Sequence, residues 1–240
     1  MDTHQQLSSK FSCQRITSLP IAVTWSAIAV ILSVSTVEAQ EKVAAPSVML
    51  IGDSIRLSYA PIVTEHFKGR AAVISPAANG GDSGNVLKNL DRWLPQTPPK
   101  AILFNCGIHD TKKFRSTGQF QVSAEQYAEN LRKVVARLRA AEGTTVLFAT
   151  STPIIDSRAA RSRADRDYEL LDASIQQYNE IARRIMQEMD VQILDLHAVL
   201  TESKSPTLPE LIGDDGVHLT PAGRDLVGQK VAEFVGQQLR

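Results

Sequence analysis

Val48-Met49-Leu50-Ile51-Gly52-Asp53-Ser54 is the stretch on which the fold turns. Its first four residues are an unbroken apolar run, the pattern of a strand covered on both faces. Gly52-Asp53 breaks the run, and Leu57, Ile62, Val63 and Phe67 follow at helical spacing. Further along, strand-like runs recur at Ala71–Ile74, Ala101–Phe104, Thr145–Ala149 and Val191–Leu196. Helical patterns lie between them. Ser123 opens a capping box with Gln126, and Gly143 is placed to end that helix at C′. Leu171, Ile175, Tyr178, Ala182, Ile185 and Met189 share one face of a second helix. Thr220 and Pro221 read as N-cap and first residue of a third, which buries Leu226 or Val227, Val231, and Phe234 or Val235. Strand and helix in alternation predict an α/β chain: a three-layer α/β/α sandwich around a parallel sheet.

In such sheets ligands bind outside the carboxyl ends of the strands. The candidate site is therefore Ser54, the Asn79–Ser83 loop, Gly107–Asp110, Thr152–Asp167 and the loop leading to His218. Ser54 follows a strand without a gap and precedes a helix, which aims helix N–H groups at developing negative charge. Asp215-Gly216-Val217-His218 supplies a histidine and a carboxylate that can meet across one turn. Serine, histidine and carboxylate are the groups that nucleophilic acyl transfer needs. Gly-Asp-Ser occurs again at 81–83, so Ser83 competes with Ser54, and Asp214 competes with Asp215. The strand-to-helix setting favours Ser54, and the three-residue spacing to His218 favours Asp215. Asp53 reads as a residue that stabilises the turn.

With these motifs in place, the chain resembles the SGNH hydrolase superfamily, also called GDSL-type esterases and lipases. Counterparts of its four sequence blocks occur in order from Val48 to His218. The resemblance implies a five-stranded parallel sheet in flavodoxin-like order, Ser54 as nucleophile, and Asp215 and His218 as its partners. It also implies that the Gly81 N–H in Asn79-Gly80-Gly81-Asp82-Ser83 helps to bind the oxyanion, together with Ser54. The third block departs from the family pattern Gly-x-Asn-Asp. Here Gly107-Ile108-His109-Asp110 puts His109 where the asparagine donor would stand, and an imidazole N–H can donate in its place. Asn105, at the end of the preceding strand, is the alternative donor.

Composition narrows the rest. A chain of 240 residues, 43% hydrophobic, is long enough to bury a full core. Its 26 basic and 26 acidic residues balance, which argues against a general nucleic-acid partner. Residues 1–39 read as an export signal, with Lys10 and Arg15 ahead of the apolar stretch Leu19 to Val37 and small residues at Val37 and Ala39. An uncleaved membrane anchor is the competing reading of that segment, and without it no membrane partner is expected. Residues 40–46 read as a linker and 47–240 as one esterase domain. Past residue 39 only Cys106 remains, so no internal disulfide forms, and no standard metal spacing occurs even with His109, Asp110 and His197 considered. No cofactor is required.

Arg158, Arg161, Arg163 and Arg166 after the fourth strand, and Lys112, Lys113 and Arg115 after the third, fall on the same expected edge of the sheet. Arg158, Arg161 and Lys112 are the candidates for contacting an anionic substrate; local charge pairing in a solvated loop is the plainer reading. The expectation is an exported serine esterase acting on short acyl, above all acetyl, esters of a small molecule or polysaccharide. A lipase, lysophospholipase or thioesterase of the same fold, a polysaccharide O-acetyltransferase, and an inactive carbohydrate-binding relic are the alternatives.

Overall fold

The computed structural model describes residues 45–239. The export or anchor segment expected over residues 1–39, and all but Ala45 and Pro46 of the linker, lie outside the described residues. Five strands make the main sheet: β1 (Ser47–Ile51), β2 (Ala72–Ile74), β3 (Ala101–Phe104), β5 (Thr145–Ala149) and β7 (Gln192–Leu194). All pair in parallel, in the order β2-β1-β3-β5-β7, as the alternation of elements and the family resemblance led us to expect. Because strand side chains alternate, β1 divides the core in two. Val48 and Leu50, with Leu103 and Leu147, pack against α1 (Ser54–Phe67) and α8 (Pro221–Gly236). Met49 and Ile51, with Ile102, Phe104 and Phe148, pack against α2 (Ser83–Trp93), α3 (Ala124–Arg139) and α5 (Asp172–Glu188). Val48 to Ile51 are at most 1% exposed, which explains why the run has no polar member. Each such side chain contributes about 1.5–3 kcal/mol of burial.

The helix α8 begins as its sequence signals it should. Thr220 Oγ1 accepts the Gly223 N–H at 3.2 Å, Pro221 occupies the first turn, and Val227, Val231 and Val235 are buried. A Cβ on Gly228 would fall 2.7 Å from the Ile62 side chain, so glycine lets α8 lie close on α1. Two details of α3 differ from expectation. Ser123 accepts the Gln126 N–H, but the Gln126 side chain turns to Glu129 and Asn130, so only half of the capping box forms. Gly143 adopts φ +77 three residues past the C-cap Ala140 and serves the turn into β5 instead of the helix end.

The helix α2 has no counterpart among the helices expected from sequence, although its Asp82 cap and the spacing of Val86 and Leu90 signal a helix. Other elements are too short to carry a pattern: α4 (Asp156–Ser162), α6 (Leu196–Thr201), α7 (Leu208–Leu211), and the antiparallel pair β4 (Lys113–Phe114) and β6 (Tyr168–Glu169). The last pair matters for the site. It joins the Gly107–Val122 and Thr152–Asp167 loops, with Lys113 opposite Glu169 and Phe114 opposite Tyr168. Ser116 Oγ donates to Asp167 Oδ2 at 2.6 Å alongside. Two segments that read as separate polar loops thus form one wall. The sheet order reverses between β1 and β3, and the residues following those two strands flank that switch point.

Candidate active site

Ser54 is the first residue of α1, separated from β1 by the turn residues Gly52 and Asp53. Its Oγ lies 3.0 Å from His218 Nε2, and His218 Nδ1 lies 2.5 Å from Asp215 Oδ2. A carboxylate can only accept, so Nδ1 carries the ring proton and the Nε2 lone pair is left to Ser54. The Asp215 side chain is held by its own turn, where Oδ1 accepts the N–H groups of Val217 at 3.0 Å and His218 at 2.9 Å. Partial burial alone would raise this carboxyl. The hydrogen bonds from the His218 ring and the two N–H groups outweigh burial and bring it down to about 2. Gly216, with φ +74, makes the turn possible, and a Cβ there would run into the backbone of Ile155 and Ala159. Arg163 adds a brace by donating to the Asp215 carbonyl at 2.7 Å. Asp214, the competing carboxylate, is exposed.

The two Gly-Asp-Ser copies do the same local work. Asp53 Oδ1 accepts the Ile55 N–H and caps α1; Asp82 Oδ1 accepts the Asn85 N–H and caps α2, each at 2.9 Å. Both serines therefore open a helix, and the helix start does not distinguish them. Their surroundings do. Ser83 is fully buried, with its N–H and Oγ donated to the Asp110 carboxylate and its Oγ accepting from Asn130 Nδ2. Ser54 faces a cleft and His218.

Burial raises the Asp110 carboxyl to about 7, against the pull of the two Ser83 hydrogen bonds. In the unfolded chain the group returns to its ordinary value of 3.8. Between those values the folded protein holds a proton that the unfolded chain has lost, so stability falls as pH rises through this window. Asp110→Asn removes that titration. Its thermal midpoint should change less than the parent's between about pH 4 and pH 8. Parallel melting curves across the window would contradict the assignment.

On the oxyanion side, the expected donor Gly81 is engaged at rest and the alternative donor Asn105 is turned to backbone carbonyls. Gly81 sits in a turn at φ +61, but its N–H donates to Asn79 Oδ1 at 2.9 Å, and Asn79 rather than Gly81 lines the cleft. Asn105 is buried, with Nδ2 directed at the Ala149 and Thr150 carbonyls at the end of β5. It is a strap between strands. His109 does line the cleft, half-buried, beside Ser54 and His218. Burial lowers its imidazole pKa, which favours the neutral ring. Arg56, which sequence inspection did not single out, is 1% exposed and anchors the turn from beneath. It donates to the carbonyls of Pro76 and Ala78 and to that of Gly52, which also accepts the Gly80 N–H. A charged residue two positions past Ser54 is the signal the sequence held for it.

The cleft measures about 280 Å³. Ile108, Tyr168, Leu170 and Val217 supply apolar wall, and Lys112 and Arg163 supply charge. Lys112 Nζ stands 5.3 Å from the Tyr168 ring centre. Of the expected anion contacts, only Lys112 is here. Arg158 donates to the carbonyls of Pro209 and Ile212, bracing the approach to Asp215, and Arg161 is exposed and does not line the cleft. Once α4 forms, its rotation and not its composition decides which arginine faces inward. His197 spends its ring on Asp172, 3.1 Å away. Cys106 is buried, and burial pushes its thiol pKa up. A larger hollow of about 400 Å³, between Phe67, Arg70 and Leu239, contains none of the candidate side chains.

A parallel α/β sheet with serine, histidine and aspartate hydrogen-bonded in series at its carboxyl edge defines a class of hydrolase scaffold. Residues 50–226 match the model of the GDSL-like Lipase/Acylhydrolase family, and the chain belongs to it. It is an ester-bond hydrolase of the SGNH type. Among curated proteins it is similar to the GDSL esterase/lipase CPRD49 of Arabidopsis thaliana, 22% identical over 205 residues that span 80% of this chain and 79% of that one. Among solved structures it is similar to a lipase/acylhydrolase from Enterococcus faecalis, with TM-score 0.66 and 18% identity over 81% of this chain and 97% of that one. The acetyl xylan esterase AlAXEase aligns with TM-score 0.64 and 18% identity, covering 79% and 99%. At these identities the structural likeness speaks for the fold alone.

Proposed function

We propose that this protein is an exported serine esterase that removes acetyl or other short acyl groups from carbohydrate through an acyl-enzyme. The observation that carries the chemistry is the unbroken series Ser54 Oγ, His218 Nε2, His218 Nδ1, Asp215 Oδ2. His218 takes the Ser54 proton as Oγ attacks the ester carbonyl, and Asp215 fixes the tautomer and stabilises the imidazolium. His218 then returns that proton to the leaving alcohol. Water, deprotonated by the same imidazole, releases the acyl group and restores Ser54.

The oxyanion is held by the Ser54 N–H, which has no acceptor among the described residues, together with His109 and the Gly81 N–H. Asn79 Oδ1 occupies the Gly81 N–H at rest. A developing oxyanion is a stronger acceptor than a neutral amide and displaces it. Removing one such donor costs roughly 10²–10³ in turnover, the loss expected for His109→Ala on a chromogenic acetyl ester. Parent-like rates in that variant would remove His109 from the account.

The small cleft, walled by Ile108, Leu170 and Val217, supports a short acyl group. The carbohydrate part draws on the apolar segment at residues 19–37, which supports export, and on likeness to an acetyl xylan esterase. A panel of esters from acetyl to long-chain, with acetylated polysaccharides, tests it. Turnover should peak at acetyl or propionyl and fall about tenfold or more once the chain outgrows the cleft. Faster turnover of octanoyl than of acetyl esters, or no release of acetate from any polysaccharide, would overturn the reading.

A further inference from the structure

Asn79 belongs to two walls at once. It lines the cleft beside Ser54, and it lines an open groove of about 330 Å³ between the Pro76–Asn79 segment and α2. The far wall of that groove is a single stripe of α2: Asn85, Asn89, Arg92 and Trp93. These positions share one helix face, and the stripe runs about 12 Å along the axis. Its near end is fixed to the oxyanion turn, because Asn85 Nδ2 donates to the Gly80 carbonyl at 2.8 Å. A ligand seated in the groove is therefore held in register with Ser54.

Polar capacity remains unspent along the stripe. Asn89 donates to Asn85, but its own Oδ1 accepts no hydrogen bond among the described residues. The Arg92 guanidinium makes no hydrogen bond or ion pair among them either, unlike Arg137 on the neighbouring α3, which pairs with Asp91. Trp93, half-buried, packs against the core and also lines the groove. An aromatic face beside amide and guanidinium groups suits a ligand with an apolar ring face and a rim of hydroxyls. A saccharide has that shape, and a length of about 12 Å accommodates two or so sugar rings.

We propose that this groove is a glycosyl subsite that binds the sugar chain flanking the esterified residue. Asn89 and Arg92 engage ring hydroxyls, and Trp93 stacks on a sugar face. This rests on the carbohydrate-ester reading above and adds the place where the sugar lies. No reacting atom is near, so the groove acts on affinity and on the choice of substrate.

Two measurements on the full chain separate the groove from the reading beneath it. The first compares kcat/KM on acetylated xylotetraose and acetylated mannotetraose with kcat/KM on 4-nitrophenyl acetate. In Trp93→Ala the ratio of oligosaccharide to small-ester values should fall about tenfold, the scale of one lost aromatic contact. An unchanged ratio overturns the proposal, whether both rates hold or both fall together. The second is a fluorescence titration with unacetylated xylotetraose and mannotetraose, since Trp93 is one of only two tryptophans in the chain. A saturable change weakened about fivefold or more in Asn89→Ala supports the groove, and alanine at that helical position does not threaten the fold. No change with either sugar, or one indifferent to Asn89 and Arg92→Gln, overturns it. If the parent deacetylates both oligosaccharides yet no groove variant alters the ratio or the titration, the esterase reading stands and the groove fails. If it deacetylates neither, the carbohydrate reading itself has failed.

Discussion

Ser54→Ala should lower kcat on acetyl esters by about 10⁵–10⁶ while leaving the fold intact. The hydroxyl is the atom that forms the acyl bond, and its contact within the described residues is His218. The side chain is half-buried at a helix start, where alanine is accommodated without a cavity. The matched control is Ser83→Ala. That serine opens a helix in the same Gly-Asp-Ser context, but its hydroxyl is sealed between Asp110 and Asn130. Its removal leaves buried partners unsatisfied and should cost about 1–3 kcal/mol of stability. The enzyme that remains folded should keep most of its turnover. Melting curves and steady-state rates on the pair read both effects. A catalytic collapse in Ser83→Ala with near-normal turnover in Ser54→Ala would reverse the assignment.

Asp215→Asn should cost about 10⁴ in kcat, the scale of loss when the carboxylate beside such a histidine becomes an amide. The substitution preserves shape and the turn, because Oδ1 can still accept from Val217 and His218 N–H groups. What it changes is the atom facing His218 Nδ1. An amide NH₂ there requires Nδ1 to accept, which moves the ring proton to Nε2 and leaves no lone pair for Ser54. KM should move far less than kcat, since Asp215 does not line the cleft. Asp214→Asn, on an exposed side chain, should behave as the parent does. A loss below about tenfold in Asp215→Asn would mean that His218 is oriented by something else.

How much of this was readable from the chain depends on where the signal resides. The central strands were legible because both faces of the sheet are covered there, which forces runs such as Val48–Ile51 to be wholly apolar. The edge strands β2 and β7 each keep an exposed residue, and the expected strand Val191–Leu196 is shorter, Gln192–Leu194, because Asp195 caps α6. Ser54, Asp215 and His218 were legible because two short motifs fix them at strand and helix boundaries. On the oxyanion side the candidate donors were legible but their resting partners were not. Whether the Gly81 N–H is free depends on the Asn79 rotamer, and whether Asn105 reaches the cleft depends on carbonyls at the end of a strand some forty residues away. The arginines of α4 were indistinguishable by composition, and tertiary packing set Arg158 on the carbonyls beside α7 and Arg163 on the Asp215 turn. The β4–β6 pair, two residues per strand, has no periodicity to detect. Local pattern reports what an element buries. It does not report which of several equivalent side chains a neighbouring loop will meet.

The central claim is that Ser54 is the nucleophile activated by His218. Covalent labelling with a fluorophosphonate, read by intact mass and peptide mapping, tests it most directly. One adduct per chain is expected, on the peptide containing Ser54, formed in step with loss of activity, slowed in His218→Ala and absent in Ser54→Ala. An adduct on Ser83 or on any other residue, or full inhibition with Ser54 unmodified, would contradict it.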